Sequence, residues 1–145
     1  MNSKNINEKK LVGRIEKIDL PDLNVDQLKA KIDTGAYTSS LHCHKVELNS
    51  AEKNVSFYLL DPTHPEYNNK KLTCPVEDIR SVRSSNGLTE DRIIIRTKIR
   101  LHNQVDTIEL SLADRSEMRN PVLLGRKFLK DRFIVDVSRK YIGNK

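Results

Sequence analysis

The sequence predicts an all-β domain, a barrel or a sandwich, because short strands follow one another at intervals of roughly ten residues. Asn, Gly, Pro and Asp separate these strands, and they are the residues that favour turns. Strands are predicted over 11–18, 28–32, 41–48, 55–60, 75–82, 92–101, 104–112 and 133–137. The one predicted helix, 126–131, is short and follows Gly125.

The clearest strand is 92–101, where apolar and charged residues alternate as in a half-buried strand. The apolar face carries Ile93, Ile95, Thr97, Ile99 and Leu101. The opposite face carries Arg92, Arg96, Lys98 and Arg100, with Ile94 as the exception. His102 and Asn103 separate this strand from 104–112, so the two are predicted to form a hairpin.

Length and composition predict one soluble domain. The 145 residues suit a single hydrophobic core over 11–145, preceded by a polar, flexible lead-in over 1–10. No apolar run approaches the roughly 20 residues that cross a bilayer, and the first residues lack the apolar stretch of a secretory signal. Cys43 and Cys74 are too few for a disulfide framework. We therefore expect a cytoplasmic protein without membrane contact.

The net charge of +6 has three interpretations. A basic surface can bind nucleic acid, but aromatic residues are only 5 % of the chain and Trp is absent, so bases would find few stacking partners. The same field can attract an acidic peptide, or the charges can simply be solvated. We expect no direct nucleic-acid contact, although a basic ribosome-associated barrel stays an alternative.

The candidate catalytic residues are Asp33, Thr34 and Gly35, which directly follow a predicted strand. Gly35 allows a tight loop with the Asp33 carboxylate at its floor. The Thr34 hydroxyl can hydrogen-bond nearby backbone and hold the loop still. On the tripeptide alone, Asp-Thr-Gly favours an ordinary turn over a catalytic loop.

A second element lies near the C-terminus, where the apolar strand of 121–125 ends in Leu-Leu-Gly and a short helix follows. Here the chain resembles the retropepsin superfamily of aspartic peptidases, in which such a strand threads beside the Asp-Thr-Gly loop. The order of the two motifs, with hairpins between them, matches over about 100 residues. The resemblance implies a closed, retropepsin-like β-barrel with one short C-terminal helix.

The match is closer to one branch of that superfamily. The residues that carry it are 30–36 with Thr38, Ser39, Leu41 and His42, then 83–87, 90–92, 112–119, 121–126, Val135 and Asp136. This pattern resembles the bacterial and archaeal family labelled ATP-dependent zinc proteases, which is associated with ATP-grasp ligases that add glutamates to a ribosomal protein. The resemblance implies a functional link to such a ligase and a substrate with an acidic, glutamate-rich tail.

Catalysis by an aspartic peptidase needs two carboxylates on one water, one acting as base and one protonated. The chain contains one Asp-Thr-Gly, and Asp114 and Asp136 lack the following Gly. We therefore predict a homodimer in which Asp33 meets its copy across a twofold axis. Asp114 and Asp136 are interpreted as ion pairs or turn caps.

Substrate contacts are predicted at two loops and two arginines. The hairpin of 82–92 is interpreted as a flap over the substrate, because Asn-Gly favours a tight tip; a plain surface hairpin is the alternative. Thr38 and Ser39 can bond the catalytic loop or cap the next strand. Arg115 and Arg126 are the first choices to bind substrate carboxylates. The predicted substrate-binding residues are Ala36, Thr38, Ser39, Ser85, Asn86, Gly87, Arg115 and Arg126.

Neither zinc nor ATP is expected as a cofactor. On a strand, His42 and His44 share one face while Cys43 points to the other, so the three cannot easily surround one tetrahedral ion, even with His64 or Cys74 nearby. No glycine-rich phosphate loop is present in the sequence, and nucleotide use would belong to a partner ligase. The alternative to a peptidase is a non-catalytic dimeric module that binds an acidic tail or the ribosome.

Overall fold

A computed structural model of the chain describes residues 8–60, 62–83, 87–113 and 120–143. A 3-10 turn spans Pro21–Leu23, and the helix α1 spans Arg126–Leu129. The strands are β1 (Lys10–Val12), β2 (Ile15–Leu20), β3 (Val25–Ile32), β4 (Ser39–Asn49), β5 (Asn54–Leu59), β6 (Lys71–Pro75), β7 (Asp78–Arg83), β8 (Thr89–Leu101), β9 (Gln104–Ala113), β10 (Val122–Leu124) and β11 (Phe133–Val135).

The main sheet closes on itself. Its order is β10-β3-β2-β8-β9-β4, and β4 also pairs with β10, so these strands form a ring. β5 and β6 continue outward from β4, while β7 pairs with β8. The all-β prediction and the retropepsin-like closed barrel are therefore confirmed, and the barrel is the correct choice over the sandwich.

Alternation along β8 and β9 fills the barrel core. Ile95, Ile99 and Leu101 are buried on the inner face of β8, while Arg96 and Lys98 are exposed. The predicted hairpin with β9 is confirmed by antiparallel pairing that runs from Ile94 opposite Ser111 to Leu101 opposite Gln104.

Two predicted strands are each divided in two. The segment 11–18 breaks after β1, at Gly13. A Cβ at Gly13 would lie 2.4 Å from the carbonyl oxygen of Arg139, so this close packing of backbones needs glycine. The segment 75–82 breaks at Val76 and Glu77, whose N–H groups donate to Lys53 and Ile94 rather than to one neighbouring strand. The helix also ends two residues earlier than predicted, at Leu129.

The two ends of the described chain are joined on one side of the barrel. β1 pairs in parallel with β11 in a separate small sheet. Beside it, the fully buried Glu16 carboxylate accepts N–H groups from Gly13, Ile142 and Gly143. The division into a lead-in and one domain stays a prediction. In the described ranges no helix is long and apolar enough to cross a membrane.

Candidate active site

The Asp33 loop starts where β3 ends. The Asp33 N–H donates to the carbonyl oxygen of Leu124 at 2.8 Å, which ties the first loop residue to β10. The Asp33 carboxylate accepts a hydrogen bond from the Gly35 N–H through Oδ1 at 2.9 Å. The main-chain carbonyl of Asp33 accepts a hydrogen bond from the Ala36 N–H at 3.3 Å. These bonds fix the direction of the carboxylate within a tight turn.

Strand β10 lies between the two strands that flank this loop. It runs parallel to β3, with Leu124 opposite Ile32, and antiparallel to β4, with Val122 opposite Leu41. The apolar residues Val122 and Leu124 are buried, as expected for a strand with neighbours on both sides. The predicted threading of this strand beside the Asp-Thr-Gly loop is what the structure shows.

Gly125 packs tightly against the residues that follow the Asp33 loop. A Cβ at this position would lie 2.5 Å from the Thr38 carbonyl oxygen and 2.7 Å from that of Tyr37. Its buried N–H donates to the Ser39 hydroxyl at 3.0 Å. Ser39 therefore bonds the Leu-Leu-Gly segment, which is neither the predicted bond to the Asp33 loop nor the predicted strand cap. Its role in substrate binding stays a prediction.

The start of α1 completes the attachment. The Arg126 N–H donates to Ala36 and the Lys127 N–H to Tyr37, at 2.8 and 2.9 Å. The Arg126 guanidinium donates to the Thr34 carbonyl at 3.0 Å and lies over the Tyr37 ring. The loop is thus held by β10 and α1 along its length, mostly through main-chain groups.

The predicted site residues lie around the Asp33 loop, on the hairpin of β7 and β8, or outside the described residues. Asp33, Ala36 and Ser39 are half-buried or buried, whereas Thr34, Gly35, Thr38 and Arg126 are exposed around the same loop. Gly87 is exposed on the hairpin formed by β7 and β8. Ser85, Asn86 and Arg115 lie outside the described residues. The structure thus places most of these residues, and their roles in catalysis and substrate binding stay predictions.

The predicted flap is an antiparallel hairpin in which Arg83 pairs with Thr89. Gly87, just before β8, has a φ of 85°, a conformation that favours glycine. Its neighbour Leu88 is 68 % exposed.

Asp136 is a turn residue in the structure. Its Oδ1 accepts both the N–H and the hydroxyl of Ser138, and these bonds lower the pKa of the Asp136 carboxyl. This matches its interpretation as a turn cap. Asp114 lies outside the described residues.

The histidine-rich segment on β4 makes separate side-chain contacts in the structure. The rings of His42 and His64 lie 6.3 Å apart between centroids, while His44 Nδ1 is 2.5 Å from the Leu60 carbonyl oxygen. Burial raises the pKa of the Cys74 thiol to about 11, which disfavours the thiolate that binds metal. Across the described ranges, no three His, Cys, Asp or Glu side chains cluster as metal ligands.

Sequence reasoning missed a group of charged residues near the loop. A cleft of about 280 Å³ borders Thr38 and Ser39 and is also lined by Arg80, Arg96 and Lys127. The alternation on 92–101 placed Arg96 on a polar face, but it carried no signal that β7 and α1 would bring cations to the same place.

An Asp-Thr-Gly loop clamped by a Leu-Leu-Gly strand within a closed barrel defines the retropepsin-like class of fold. Residues 11–145 match the RimB-like family, described as retropepsin-like aspartic endopeptidase RimB. The chain belongs to this family.

Two relatives are both named probable alpha-L-glutamate ligase. The one from Desulfotalea psychrophila is 37 % identical over 134 residues, covering 88 % of this chain and 28 % of the relative. The one from Shewanella pealeana is 34 % identical over 142 residues, covering 93 % and 30 %. The chain therefore spans less than a third of the length of these curated relatives.

Among solved structures, the chain is similar to a protein of unknown function from Legionella pneumophila. The two share 25 % sequence identity, with a TM-score of 0.71. The similarity covers 93 % of this chain and 98 % of that one, so it extends over essentially the whole barrel.

Proposed function

We propose that the protein is an aspartic-type peptidase that acts as a homodimer and hydrolyses peptide bonds in an acidic, glutamate-rich protein tail. The observation that carries this proposal is the Asp33 loop. Its carboxylate is oriented by the Gly35 N–H, and its backbone is clamped by Leu124 at the centre of the family's fold. Membership of a retropepsin-like endopeptidase family supports the same chemistry.

The homodimer follows from the number of carboxylates. The sequence supplies one Asp-Thr-Gly, and Asp136 is engaged by Ser138 in a separate turn. Thr34 and Gly35 are exposed at the loop, so a second copy can approach it. A twofold axis through this point would place the two Asp33 side chains face to face.

The paired carboxylates would share one proton, because two like charges a few ångström apart cannot both ionise. The ionised member takes a proton from water, and that water attacks the scissile carbonyl carbon. The protonated member donates a hydrogen bond to the carbonyl oxygen as it gains negative charge. Collapse of the tetrahedral intermediate breaks the C–N bond, and the leaving amine takes up a proton.

The hairpin of β7 and β8 would cover the bound peptide. Leu88 offers apolar surface beside the tip, and Gly87 provides the backbone freedom for a tight turn. Closure of such a hairpin excludes bulk water and holds the peptide extended over the loop.

The acidic substrate is supported by the relatives. Proteins named probable alpha-L-glutamate ligase contain a region similar to this chain over about a third of their length or less. A peptidase domain joined to a glutamate ligase would act on the ligase's product, so we propose a functional link to an ATP-grasp ligase. The net charge of +6 favours approach of a polyanionic tail. We also propose a cytoplasmic location, because two cysteines are too few for a disulfide framework.

The test is incubation of the protein with a polyglutamate-tailed substrate and mass spectrometry of the products, with Asp33→Asn as the matched control. Successive losses of glutamate, or release of a glutamate peptide, are expected with the wild type and not with the variant. Tight binding of the tail without cleavage would instead favour a non-catalytic binding module. Cleavage that persists in Asp33→Asn would contradict the mechanism.

A further inference from the structure

A charged cleft lies beside the catalytic loop and is separate from the Asp33 carboxylate. It has a volume of about 280 Å³ and is bordered by Thr38 and Ser39 at the start of β4, by Glu109 and Ser111 on β9, and by Lys127 on α1. The Lys127 N–H donates to the Tyr37 carbonyl, so the cleft wall is continuous with the clamped loop. A peptide extended from the loop along this side would pass over the cleft.

Cations dominate the cleft wall. Arg80 and Arg92 are opposite one another in the pairing of β7 with β8, and Arg96 is opposite Glu109 in the pairing of β8 with β9. The cationic side chains that line the cleft are those of Arg80, Arg92, Arg96, Lys127 and Arg132. Glu109 is the one acidic side chain among the lining residues that the structure describes.

Glu109 shows where a carboxylate fits. Its Oε1 accepts Lys127 at 2.9 Å and Arg80 at 3.4 Å, and its Oε2 accepts Arg96 at 3.1 Å. The hydrogen bond from Lys127 is the main cause that lowers the pKa of the Glu109 carboxyl. Three cations converge on this one carboxylate, so the same groups are placed to bond a second carboxylate from the cleft side.

Acidic side chains outside the cleft also pair with its arginines, including Glu90 with Arg92 and Asp106 with Arg132. Arg80 also pairs with Asp78, and Arg96 also pairs with Glu77. Neither acid lines the cleft. Their Arg partners remain partly exposed, with 38 % and 52 % of their side-chain surface accessible. A ligand can therefore reach these guanidinium groups from the cleft side.

The Ser111 hydroxyl adds an independent observation. Ser111 lines the cleft and is 7 % exposed, and its Oγ has no hydrogen-bond partner among the described residues. A buried hydroxyl without a partner costs free energy unless a ligand or water satisfies it. Ser111 lies opposite Ser40 in the parallel pairing of β4 with β9, two strands that frame the loop.

We propose that this cleft is a subsite for a carboxylate side chain of the substrate, and that Glu109 is an internal competitor which the substrate carboxylate partly displaces. The inference rests on the proposed function and specifies where an acidic residue outside the scissile bond is recognised. Arg80, Arg96 and Lys127 supply the charge, and Ser111 supplies a hydrogen bond at the floor.

An acidic peptide fits this cleft better than nucleic acid does. Phe128 is the one aromatic residue among its described lining, and it is buried, so no ring is presented for base stacking. Arg and Lys arranged around a carboxylate of the chain itself are already placed at the geometry that a second carboxylate needs. The position beside the proposed catalytic loop also favours a peptide.

Binding can be measured without catalysis by using the Asp33→Asn protein. Fluorescence anisotropy of a labelled hexaglutamate peptide, with hexaglutamine as the uncharged probe, reports affinity directly. Arg96→Gln and Lys127→Gln, added separately, are expected to weaken hexaglutamate binding roughly three- to tenfold each. Lys71→Gln on β6, outside the cleft, is the matched charge control and is expected to change affinity much less. Hexaglutamine binding should be insensitive to all three.

Glu109→Gln gives the distinguishing result. Removal of an internal competitor should strengthen hexaglutamate binding, whereas a purely structural role for Glu109 would weaken it. Equal effects of Lys71→Gln and Lys127→Gln on hexaglutamate affinity would overturn the subsite. The subsite would also be overturned if a short oligoribonucleotide displaced the labelled peptide at a lower concentration than unlabelled hexaglutamate does. Thermal unfolding of each variant checks the fold, and Arg96→Gln and Lys127→Gln suffice if Glu109→Gln does not fold.

The two proposals can fail separately. Binding that depends on the cleft cations, without any cleavage by the wild type, would retain the subsite and reject the peptidase. Cleavage of a glutamate tail whose KM is unchanged by Arg96→Gln and Lys127→Gln would retain the peptidase and reject the subsite.

Discussion

The Asp33 loop and the adjoining cleft are built in different ways. Main-chain hydrogen bonds hold the loop, from the Asp33 N–H to Leu124 and from Arg126 and Lys127 to Ala36 and Tyr37. Side-chain ion pairs hold the cleft, with Glu109 bonded to three cations. The conformation of the loop therefore depends on backbone packing, whereas the charge of the cleft depends on which side chains are present.

If the proposed function is correct, this difference separates the residues for chemistry from the residues for substrate selectivity. Changes that move the backbone near Gly125 should damage the loop and stability together. Changes of charge in the cleft should leave the barrel folded, because exposed ion pairs contribute about 1 kcal/mol or less each. Substitutions in the loop, in its backbone clamp and in the cleft can test this separation.

Asp33→Asn should lower cleavage of a glutamate-tailed protein by at least about 10³-fold, because the general base is lost. The amide oxygen can still accept the Gly35 N–H, so the melting temperature should stay close to that of the wild type. Product formation is followed by mass spectrometry. Asp136→Asn, in the Ser138 turn, is the control, and an equal loss of activity in that variant would argue against a special role for Asp33.

Gly125→Ala should destabilise the protein by about 2–3 kcal/mol, because the new Cβ would meet two backbone carbonyls that cannot rotate away. The comparison is Gly87→Ala, where no atom lies within 4 Å of the new Cβ and the cost is about 1 kcal/mol from the positive φ. Urea unfolding measures both. A smaller effect at Gly125 than at Gly87 would contradict the backbone clamp.

Ser39→Ala should cost about 1–2 kcal/mol, because it leaves the buried Gly125 N–H without its acceptor. Ser39 lies at the boundary of the loop and the cleft, so kcat should fall more than binding of hexaglutamate changes. Ser40→Ala on the other face of β4 serves as the control. A loss confined to peptide affinity would show that Ser39 belongs to the cleft rather than to the loop.

Glu109→Gln should reduce stability at neutral pH by no more than about 1 kcal/mol. The pKa of Glu109 is lowered in the folded protein, so its contribution is complete above the ordinary Glu pKa of about 4.3 and is lost as the pH falls through the lower folded-state value. The difference from the wild type should therefore shrink below about pH 4. A difference that grows on acidification would contradict the ion pairs.

Much of the fold could be predicted because it depends on local patterns. Alternation on β8 and β9 predicted their faces and their hairpin, and β3 leading into Asp33-Thr34-Gly35 predicted the loop. The breaks within 11–18 and 75–82 could not be predicted in this way, because they arise from distant contacts. Gly13 is packed against Arg139, and Val76 is bonded to Lys53.

The backbone arrangement of the candidate site could be predicted from the sequence, whereas the charged side chains of the cleft could not. The Leu-Leu-Gly strand was expected beside the loop, and Gly125 and Ser39 show how close the contact is. Cations for an acidic substrate were expected first at Arg115 and Arg126; Arg115 lies outside the described residues, and Arg126 donates to Thr34. The cleft is lined by Arg80, Arg96 and Lys127, which were not among these first choices. Their convergence depends on the register of three strands and one helix, which one sequence does not reveal.

Mixed dimers test whether each active site needs Asp33 from two subunits. Wild-type and Asp33→Asn proteins are mixed in equal amounts, subunits are allowed to exchange, and cleavage of a glutamate-tailed substrate is measured at constant total protein. A shared site predicts roughly one quarter of the all-wild-type rate, because only dimers with two Asp33 carboxylates are active. A rate of about one half, as expected from independent sites in each subunit, would contradict the account.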